Sequence, residues 1–441
     1  MRVLALDVGS SSTRACLYDE RGREAGEPAQ RKYEARRARD GSAELDADEL
    51  VAAARAVLGE AGDGHDALGI SCFMHSLLLL DEHDRPLTPV LLWQDRRATA
   101  QAEELAARLD EGAVHARTGC VFHPSFWPAK LAWLRAEGRF EHARRAVSLA
   151  DYLFLALTGE LRTTLSTASG SGLLDLRAAR WDGELLDELG LPEELLPPLG
   201  DEPVGTVHPP LADGACSNLG AGCTTADRAA LNIGTSGALR IVHEAEPEPR
   251  RGLFCYLVDE RRVVEGGAVS DGGNLYAWLE RTLRLENVEP RAPDGHGLTF
   301  LALLGGERSP GWNPRATGAI AGLTFGADAV DLLQAGLEGA AYRIAECADL
   351  LPEVREVVAT GHGLLASPEW TQLFADVLGL PVTASGVAEG SARGAALHAL
   401  ERLGVEPEPA PLGRVHEPDP ARTEIYAAAR RRQRELYERL F

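Results

Sequence analysis

Two short turns rich in glycine and hydroxyl side chains are the parts of this sequence best suited to binding phosphate. Residues 9–13 form the first turn, directly after an apolar stretch that contains Asp7 near its end. Residues 234–237 form the second turn, in the other half of the chain and again between apolar stretches. Backbone N–H groups and hydroxyls in such turns can donate to phosphate oxygens. A single turn of this kind is more typical of a plain hairpin, whereas the pair favours a nucleotide held between two halves.

The carboxylate of Asp7 should lie at the end of a strand, next to the first turn. A carboxylate in that position can hold Mg²⁺ through water, because Mg²⁺ keeps much of its hydration shell. The alternative phosphate loop GxxxxGK[ST] needs a lysine, and the chain has only Lys32 and Lys130, neither of them in such a loop. The sequence therefore predicts a phosphate site built from the two turns, with Mg²⁺ held beside them by Asp7.

Each turn should connect two strands, since no helical period begins after it. The sequence thus predicts two β-hairpins within a duplicated α/β architecture, and a further strand at residues 69–73. Predicted helices occupy residues 46–58, 98–109, 129–136, 149–157, 272–285, 329–350, 367–378, 391–403 and 422–440. Proline, glycine and acidic residues concentrate between residues 191 and 210, which is typical of a linker. We therefore predict an N-terminal domain over residues 1–205 and a C-terminal domain over residues 206–441.

Composition restricts the class of protein further. The 441 residues suit two or three domains. The net charge of −22 disfavours nucleic acids and anionic membranes as partners, because both would be repelled. The seven cysteines include no CxxC pair, so buried reduced thiols are expected. No apolar run approaches the roughly 18 residues of a membrane helix, and the start lacks the apolar core of a secretory signal. These features predict a cytosolic protein.

Nine blocks of sequence, in the same order along the chain, resemble the FGGY family of carbohydrate kinases, and within it the gluconokinase group. The first four are residues 7–14, Met74-His75-Ser76-Leu77 with Leu80-Asp81, Trp93-Gln94-Asp95-Arg96-Arg97-Ala98, and Thr118-Gly119 with His123-Pro124 and residues 130–134. The other five are Asp213-Gly214-Ala215 with Asn218-Leu219-Gly220, residues 234–237, residues 306–310, residues 318–323 and Glu338-Gly339. The Met-His-Ser form of the second block is the one that resembles gluconokinases.

The resemblance implies an α/β protein with the two-domain actin-like ATPase fold of sugar kinases, actin and Hsp70, in which ribonuclease H-like domains flank a central cleft. It implies transfer of the γ-phosphate of ATP, bound with Mg²⁺, to a hydroxyl of a small sugar or sugar acid. D-gluconate, which would give 6-phosphogluconate, is the first expectation. A pentulose or polyol kinase such as a xylulokinase stays open as an alternative, as does a catalytically weakened binding protein of the same fold. The resemblance also allows a homodimer.

The resemblance assigns roles to individual residues. Asp213 is the expected catalytic base, because a neutral hydroxyl is a poor nucleophile and must lose its proton, and Asp7 is expected on the Mg²⁺–phosphate side. The expected substrate-binding residues are Met74, His75, Trp93, Asp95 and His123. The expected nucleotide-binding residues are Gly9, Ser10, Ser11, Ser12, Thr13, Arg14, Gly234, Thr235, Ser236, Gly361 and Gly363. A substrate carboxylate would need a cation or a charge-assisted donor, for which His75, Arg96, His123 and Lys130 are the candidates.

Two features depart from the family pattern. The segment before Asp213 is short and contains Pro209 and Pro210, which cannot sit in a central strand, so the strand that should lead into the base is expected to be truncated or missing. The glycine pair expected at the nucleotide is interrupted by His362, whose side chain would either crowd the nucleotide or point outward.

Overall fold

Two sheets, each containing one of the predicted hairpins, organise the chain. The computed structural model describes residues 1–62, 64–285, 289 and 291–441. The strands are β1 (Arg2–Val8), β2 (Ser12–Asp19), β3 (Ala29–Lys32), β4 (Arg36–Arg37), β5 (Ala43–Leu45), β6 (Ala67–Cys72), β7 (Leu78–Leu80), β8 (Val90–Leu91), β9 (Arg145–Val147), β10 (Leu174–Asp175), β11 (Arg180–Trp181), β12 (Leu211–Ala212), β13 (Arg228–Ile233), β14 (Gly237–Glu244), β15 (Phe254–Leu257), β16 (Arg262–Val269), β17 (Thr299–Leu301), β18 (Ala319–Ala321), β19 (Glu356–Thr360), β20 (Val382–Ser385) and β21 (Leu412–His416).

Helices cover and connect these strands. They are α1 (Ala47–Ala61), α2 (Thr99–Arg108), α3 (Glu111–Thr118), α4 (Trp127–Ala136), α5 (Leu149–Thr158), α6 (Leu165–Ser169), α7 (Gly183–Leu189), α8 (Asp213–Gly220), α9 (Gly273–Thr282), α10 (Ala329–Ala348), α11 (His362–Leu365), α12 (Pro368–Leu378), α13 (Gly390–Arg402) and α14 (Pro420–Leu440), with a 3-10 helix at Glu193–Leu195. The predicted helices are confirmed with their ends shifted by a few residues. For example, α1 begins at Ala47 because the side chain of Asp46 caps it, accepting from the backbone N–H groups of Asp48 and Glu49.

The two main sheets share a local plan. In the five-stranded sheet, of order β12-β6-β1-β2-β3, β1 pairs with β2 antiparallel and with β6 parallel. In the seven-stranded sheet, of order β15-β16-β14-β13-β19-β20-β21, β13 pairs with β14 antiparallel and with β19 parallel. Both predicted hairpins are therefore confirmed. Since strand β1 is buried along most of its length and is packed between α1 and α13, this sheet is covered on both faces.

The strand that leads into Asp213 is truncated but present. Strand β12, only two residues long, pairs in parallel with Ser71 and Cys72 of β6. It lies at the edge of its sheet. Proline has no backbone N–H to donate, but at a sheet edge Pro209 and Pro210 do not interrupt the hydrogen bonds between central strands. Helix α8 then begins at Asp213 itself. The shortened connection thus still places Asp213 at the carboxyl ends of the strands, the same end of the sheet as Asp7 of β1.

Helix α13 joins the two halves of the molecule, because it belongs to the second half in sequence but packs against β1, β6 and α8. Three glycines make this close approach possible. A Cβ on Gly394 would lie 1.9 Å from the carbonyl oxygen of Cys216, and one on Gly220 would lie 1.9 Å from that of Gly390. A Cβ on Gly69 of β6 would lie 2.4 Å from the Ala395 oxygen. The two halves therefore meet backbone against backbone.

Two further expectations concern thiols and membranes. All seven cysteines are buried and free, as predicted. Among the described residues, no helix combines the length and apolar character required to cross a bilayer.

Candidate active site

A cavity of about 700 Å³ lies between the two main sheets, beyond the carboxyl ends of β1 and β13. Its walls include Gly9, Ser10, Ser11 and Ser12 from the first turn, Arg14 just after it, and Gly234, Thr235 and Ser236 from the second turn. Asp7 and Asp213 line the same cavity. The two turns, far apart in sequence, therefore face one shared space.

Asp7 is positioned by its neighbours in the sheet. The register of β1 places it opposite Arg14 of β2 and Ser71 of β6. The Ser71 hydroxyl donates to Asp7 Oδ1 at 2.8 Å, and the Arg14 guanidinium lies 4.0 Å from Oδ2. Burial raises the pKa of Asp7 to about 7, and the negative charge of Asp213 adds to this rise, while the Ser71 hydrogen bond opposes it. A buried carboxylate that is repelled by a second one is well suited to a divalent cation.

Asp213 is the first residue of α8 and is partly buried against the cavity. Its Oδ1 accepts from the backbone N–H of Gly214 at 2.8 Å. Burial raises the pKa of this carboxyl group, whereas the guanidinium groups of Arg240 and Arg308 lower it. Gly214 leaves room for Arg240, since a Cβ at this position would lie 3.2 Å from Arg240 Nε.

One end of the cavity contains the two turns and the residues predicted to bind the nucleotide, and we call it the nucleotide end. There, Gly361 precedes α11 with a φ of 83°. A Cβ there would lie 2.7 Å from the carbonyl oxygen of Ile233, so both its conformation and its packing require glycine. His362 is exposed on the lining of the cavity, which leaves it free to point into solvent. Residues 387–391 also line this end, although no sequence motif marked them. Within this segment, Glu389 forms an ion pair with Arg14 at 3.1 Å, which links the two halves.

Two predicted nucleotide contacts do not line the cavity. Thr13 is fully buried behind its turn, with its hydroxyl 3.0 Å from that of Tyr33. Gly363 packs against strand β13 instead, where a Cβ would lie 3.0 Å from the Ile233 oxygen. Thr13 lies in β2, where alternate side chains face opposite sides of the sheet, so it faces away from the cavity while Ser12 and Arg14 line it. Gly363 lies in α11, on the side packed against β13.

Three of the predicted substrate residues, Met74, His75 and Trp93, line the other end of the cavity, which we call the substrate end. His75 has a φ of 63°, an uncommon conformation for a residue with a side chain. Its Nδ1 lies 2.7 Å from the carbonyl oxygen of Gly170. Because a carbonyl only accepts, we assign the proton to Nδ1, which leaves Nε2 as an acceptor. Burial, reinforced by the charge of Arg308, holds the pKa of His75 well below its usual range, so the ring is neutral.

The other two predicted substrate residues, Asp95 and His123, do not line this cavity. The carboxylate of Asp95 is occupied by its ion pair with Arg97, at 2.6 Å, and by the backbone N–H of Ala43. The ring of His123 contacts Ser125 Oγ at 3.0 Å and the carbonyl oxygen of Glu307 at 3.1 Å. Asp95 and His123 line only a side crevice of about 20 Å³, which is too small for a sugar. Both side chains fix neighbouring segments.

The predicted cations Lys130 and Arg96 also point elsewhere. The Lys130 ammonium is buried and donates to the His75 carbonyl oxygen at 2.6 Å, and burial lowers its pKa to about 7. Arg96 donates to the carbonyl oxygen of Pro314 at 2.6 Å. The cations that do line this end are Arg240 of β14 and Arg308, which were given no role from the sequence. A charged residue within the apolar strand β14 was an available signal for Arg240.

Comparison with known proteins agrees with this geometry. Residues 2–220 match the N-terminal domain of the FGGY family of carbohydrate kinases, and residues 229–401 match its C-terminal domain. The chain belongs to the FGGY family of carbohydrate kinases. As a member of that family it is an ATP-dependent carbohydrate kinase with the two-domain actin-like ATPase fold. The domain boundary between residues 205 and 206 stays a prediction.

Similar proteins act on more than one sugar. A gluconokinase of Bacillus subtilis (strain 168) is 28% identical, over 91% of this chain and 88% of the relative. A xylulose kinase of Escherichia coli (strain K12) is 29% identical, over 99% of both. Crystal structures of gluconate kinase and of ligand-bound xylulose kinase from Lactobacillus acidophilus superpose with TM-scores of 0.90 and 0.89. Each of the two is 27% identical and covers 100% of this chain and 98% of its own.

Proposed function

We propose that this FGGY kinase transfers the γ-phosphate of ATP to D-gluconate, giving 6-phosphogluconate, with Asp213 as the general base. The proposal is carried by one observation, the position of Asp213 and Asp7 in the cavity that both turns line. In the reaction, the bond between the γ-phosphorus and the β–γ bridging oxygen breaks and a bond to the substrate hydroxyl oxygen forms. The hydroxyl proton moves to Asp213, and ADP leaves.

The surroundings of Asp213 suit it to proton transfer. Burial raises its pKa, which strengthens it as a base relative to an exposed aspartate, while Arg240 and Arg308 favour the ionised form. A base works best when its pKa lies near the operating pH. Alignment of the hydroxyl with the γ-phosphate supplies most of the remaining acceleration.

Asp7 is proposed to hold Mg²⁺ through water. Its carboxylate is buried, pairs weakly with Arg14 at 4.0 Å and is repelled by Asp213, so the residues present fit a hydrated dication. Bound Mg²⁺ would neutralise charge on the phosphates. The backbone N–H groups and hydroxyls of residues 9–12 and 234–236 are proposed to bind the phosphate oxygens, and Gly361 and residues 387–391 to bind the rest of the nucleotide.

Two observations favour gluconate as the substrate. Met74-His75-Ser76 has the form that resembles gluconokinases, and gluconokinases are among the similar curated proteins. A D-xylulose kinase is the second candidate, because xylulose kinases are equally similar and one of them matches over 99% of both chains.

ADP release measured with gluconate, xylulose, ribulose and glycerol tests the proposal. Gluconate is expected to give the highest kcat/KM, and Asp7→Asn is expected to raise the Mg²⁺ concentration needed for half-maximal rate. A preference for xylulose would favour the second candidate. If no sugar stimulates ADP release while one of them still raises Tm, the protein is a binding protein. An unchanged Mg²⁺ titration in Asp7→Asn would remove Asp7 from the magnesium site.

A cytosolic location and a homodimer stay predictions from the sequence and its resemblance. Cell fractionation and sedimentation equilibrium of the purified chain would test them.

A further inference from the structure

Two guanidinium groups at the substrate end of the cavity lack a counterion. Arg308 is only 7% exposed and lines the cavity. Its Nε has no hydrogen-bond partner. In the described part of the chain, its guanidinium forms neither an ion pair nor a side-chain hydrogen bond. Arg240 lines the same end and, over the same residues, also forms no ion pair.

Unpaired buried charge is costly, so buried arginines are normally paired. Other buried arginines of this protein have partners, either carboxylates or, for Arg393, three backbone carbonyl oxygens. Arg343, which is 4% exposed at its side chain, pairs with Glu307 and Glu346. Arg97 pairs with Glu44 and Asp95, each at 2.6 Å. Among the described residues, the Arg308 guanidinium has neither a carboxylate nor a carbonyl partner, so it is available to an anionic ligand.

Asp213 does not supply that anion. Its charge acts on Arg240 and Arg308, but its own hydrogen bond comes from Gly214, at 2.8 Å. One carboxylate opposite two guanidinium groups leaves a net positive charge. The nearby rings of His75 and His123 are neutral because burial lowers the pKa of each, to about 3 for His123. The substrate end is thus locally cationic in a protein with a net charge of −22.

The Arg308 side chain is held in place before any ligand binds. Its guanidinium lies over the Trp93 ring, 4.8 Å from the centroid, an arrangement that leaves the N–H edge free. The preceding residue, Glu307, is fixed from several sides. Its carboxylate accepts from Arg343 and from the hydroxyl of Tyr437, and its carbonyl oxygen contacts the ring of His123. A planar fork fixed in this way suits a carboxylate, which it can bind through two parallel hydrogen bonds.

We propose that Arg308, supported by Arg240, binds the carboxylate of an aldonic acid, and that this contact makes the enzyme select sugar acids over neutral sugars. The inference rests on the proposed kinase function and specifies how that site recognises its substrate. The proton balance of phosphoryl transfer is unaffected, because the carboxylate stays ionised throughout.

Steady-state kinetics of Arg308→Gln with gluconate, its neutral analogue gluconamide, and xylulose test the proposal. Losing a charge-assisted fork should raise KM for gluconate by about 100-fold and leave KM for gluconamide and xylulose nearly unchanged. Any change in kcat that follows from removing the Arg308 charge near Asp213 should be shared by all three acceptors. Arg308→Lys keeps the charge without the fork and should fall between wild type and Arg308→Gln. Arg240→Gln should raise KM for gluconate by about tenfold. Arg251→Gln, an exposed arginine in the same half, is the matched control and should behave like wild type.

Three outcomes would overturn the proposal. An equal loss of kcat/KM with all three acceptors would remove the selectivity from Arg308, and unchanged KM for gluconate would remove it from the site. If wild type shows no kinase activity, calorimetric titration of gluconate and gluconamide without ATP still tests the anion site. Preferential gluconate binding that is lost in Arg308→Gln would support the site although the proposed function had failed, whereas equal binding of both would reject the site.

Discussion

The nucleotide end and the substrate end of the cavity are built from different materials. The nucleotide end is built mainly from backbone and small residues of contiguous segments, among them the two turns, Gly361 and residues 387–391, with His362 and Glu389 as its larger side chains. The substrate end consists of single long side chains from distant segments, among them His75, Trp93, Arg240 and Arg308. Ligand binding at a site made of backbone should be most sensitive to atoms added by a substitution. Binding or catalysis at a site made of side chains should be most sensitive to the loss of a functional group. Four predictions test this contrast.

The largest effect is expected at the substrate end, from Asp213→Asn. Loss of the base should lower kcat by about 10³–10⁴-fold, which is the upper part of the range typical of general bases. The affinity for gluconate, measured by calorimetry, should stay within a fewfold of wild type. Asp151→Asn is the control, because Asp151 is a buried carboxylate in the capping box of α5, away from the cavity. Near-normal turnover by Asp213→Asn would exclude this residue as the base.

At the nucleotide end, the largest effect should come from adding one methyl group in Gly361→Ala. The positive φ of 83° and a Cβ 2.7 Å from the Ile233 oxygen both oppose alanine. We expect KM for ATP to rise by about 30-fold, equivalent to about 2 kcal/mol. Gly59→Ala, in α1 where nothing lies within 4 Å of the new Cβ, should leave KM for ATP unchanged. A Gly361→Ala enzyme with wild-type KM for ATP would contradict the contrast drawn above.

Behind the substrate end, His123 should make folding stability depend on pH. Burial lowers the pKa of its ring to about 3, against about 6.5 in an unfolded chain. Between these values the unfolded state binds more protons, so stability contributed by the neutral ring falls as pH falls. From pH 7 to pH 5, wild type should lose about 2 kcal/mol more unfolding free energy than His123→Gln.

Urea unfolding of both proteins at the two pH values measures this difference. His83→Gln serves as control, because the His83 side chain is 65% exposed, and it should lose as much as wild type. If wild type and His123→Gln lose stability in parallel, His123 is protonated in the folded protein.

The smallest effect is expected from removing a hydroxyl at the nucleotide end. Thr235 is exposed on the second turn, and Thr235→Ala keeps every backbone donor. One neutral hydrogen bond is worth about 1 kcal/mol, so KM for ATP should rise by about threefold at most. Thr324→Ala, whose exposed hydroxyl accepts from the Gly326 N–H away from the cavity lining, is a control for a general hydroxyl effect. A rise as large as that of Gly361→Ala would show that side chains dominate this end too.

The same contrast explains what could be predicted from the sequence. The nucleotide end is encoded in short contiguous motifs, so the two turns and their strands were predictable, as was the fold class. The substrate end depends on which faces the side chains take after folding. Asp95 and His123 lie within motifs that resemble the family, yet Arg97 and Glu307 engage them away from the cavity. Arg308 lies within one of the sequence blocks that resemble the family. Its lack of a counterion, however, depends on which side chains surround it in the folded protein.

The crossing of α8 and α13 has a consequence for the position of Asp213. A Cβ on Gly394 would lie 1.9 Å from the Cys216 carbonyl oxygen, so the two helices are in backbone contact. Asp213 precedes Cys216 by three residues, about 4.5 Å along α8, and so it lies close to that contact. A side chain larger than hydrogen at position 394 should therefore push α8 away and displace the Asp213 carboxylate, although position 394 is distant from it in the sequence.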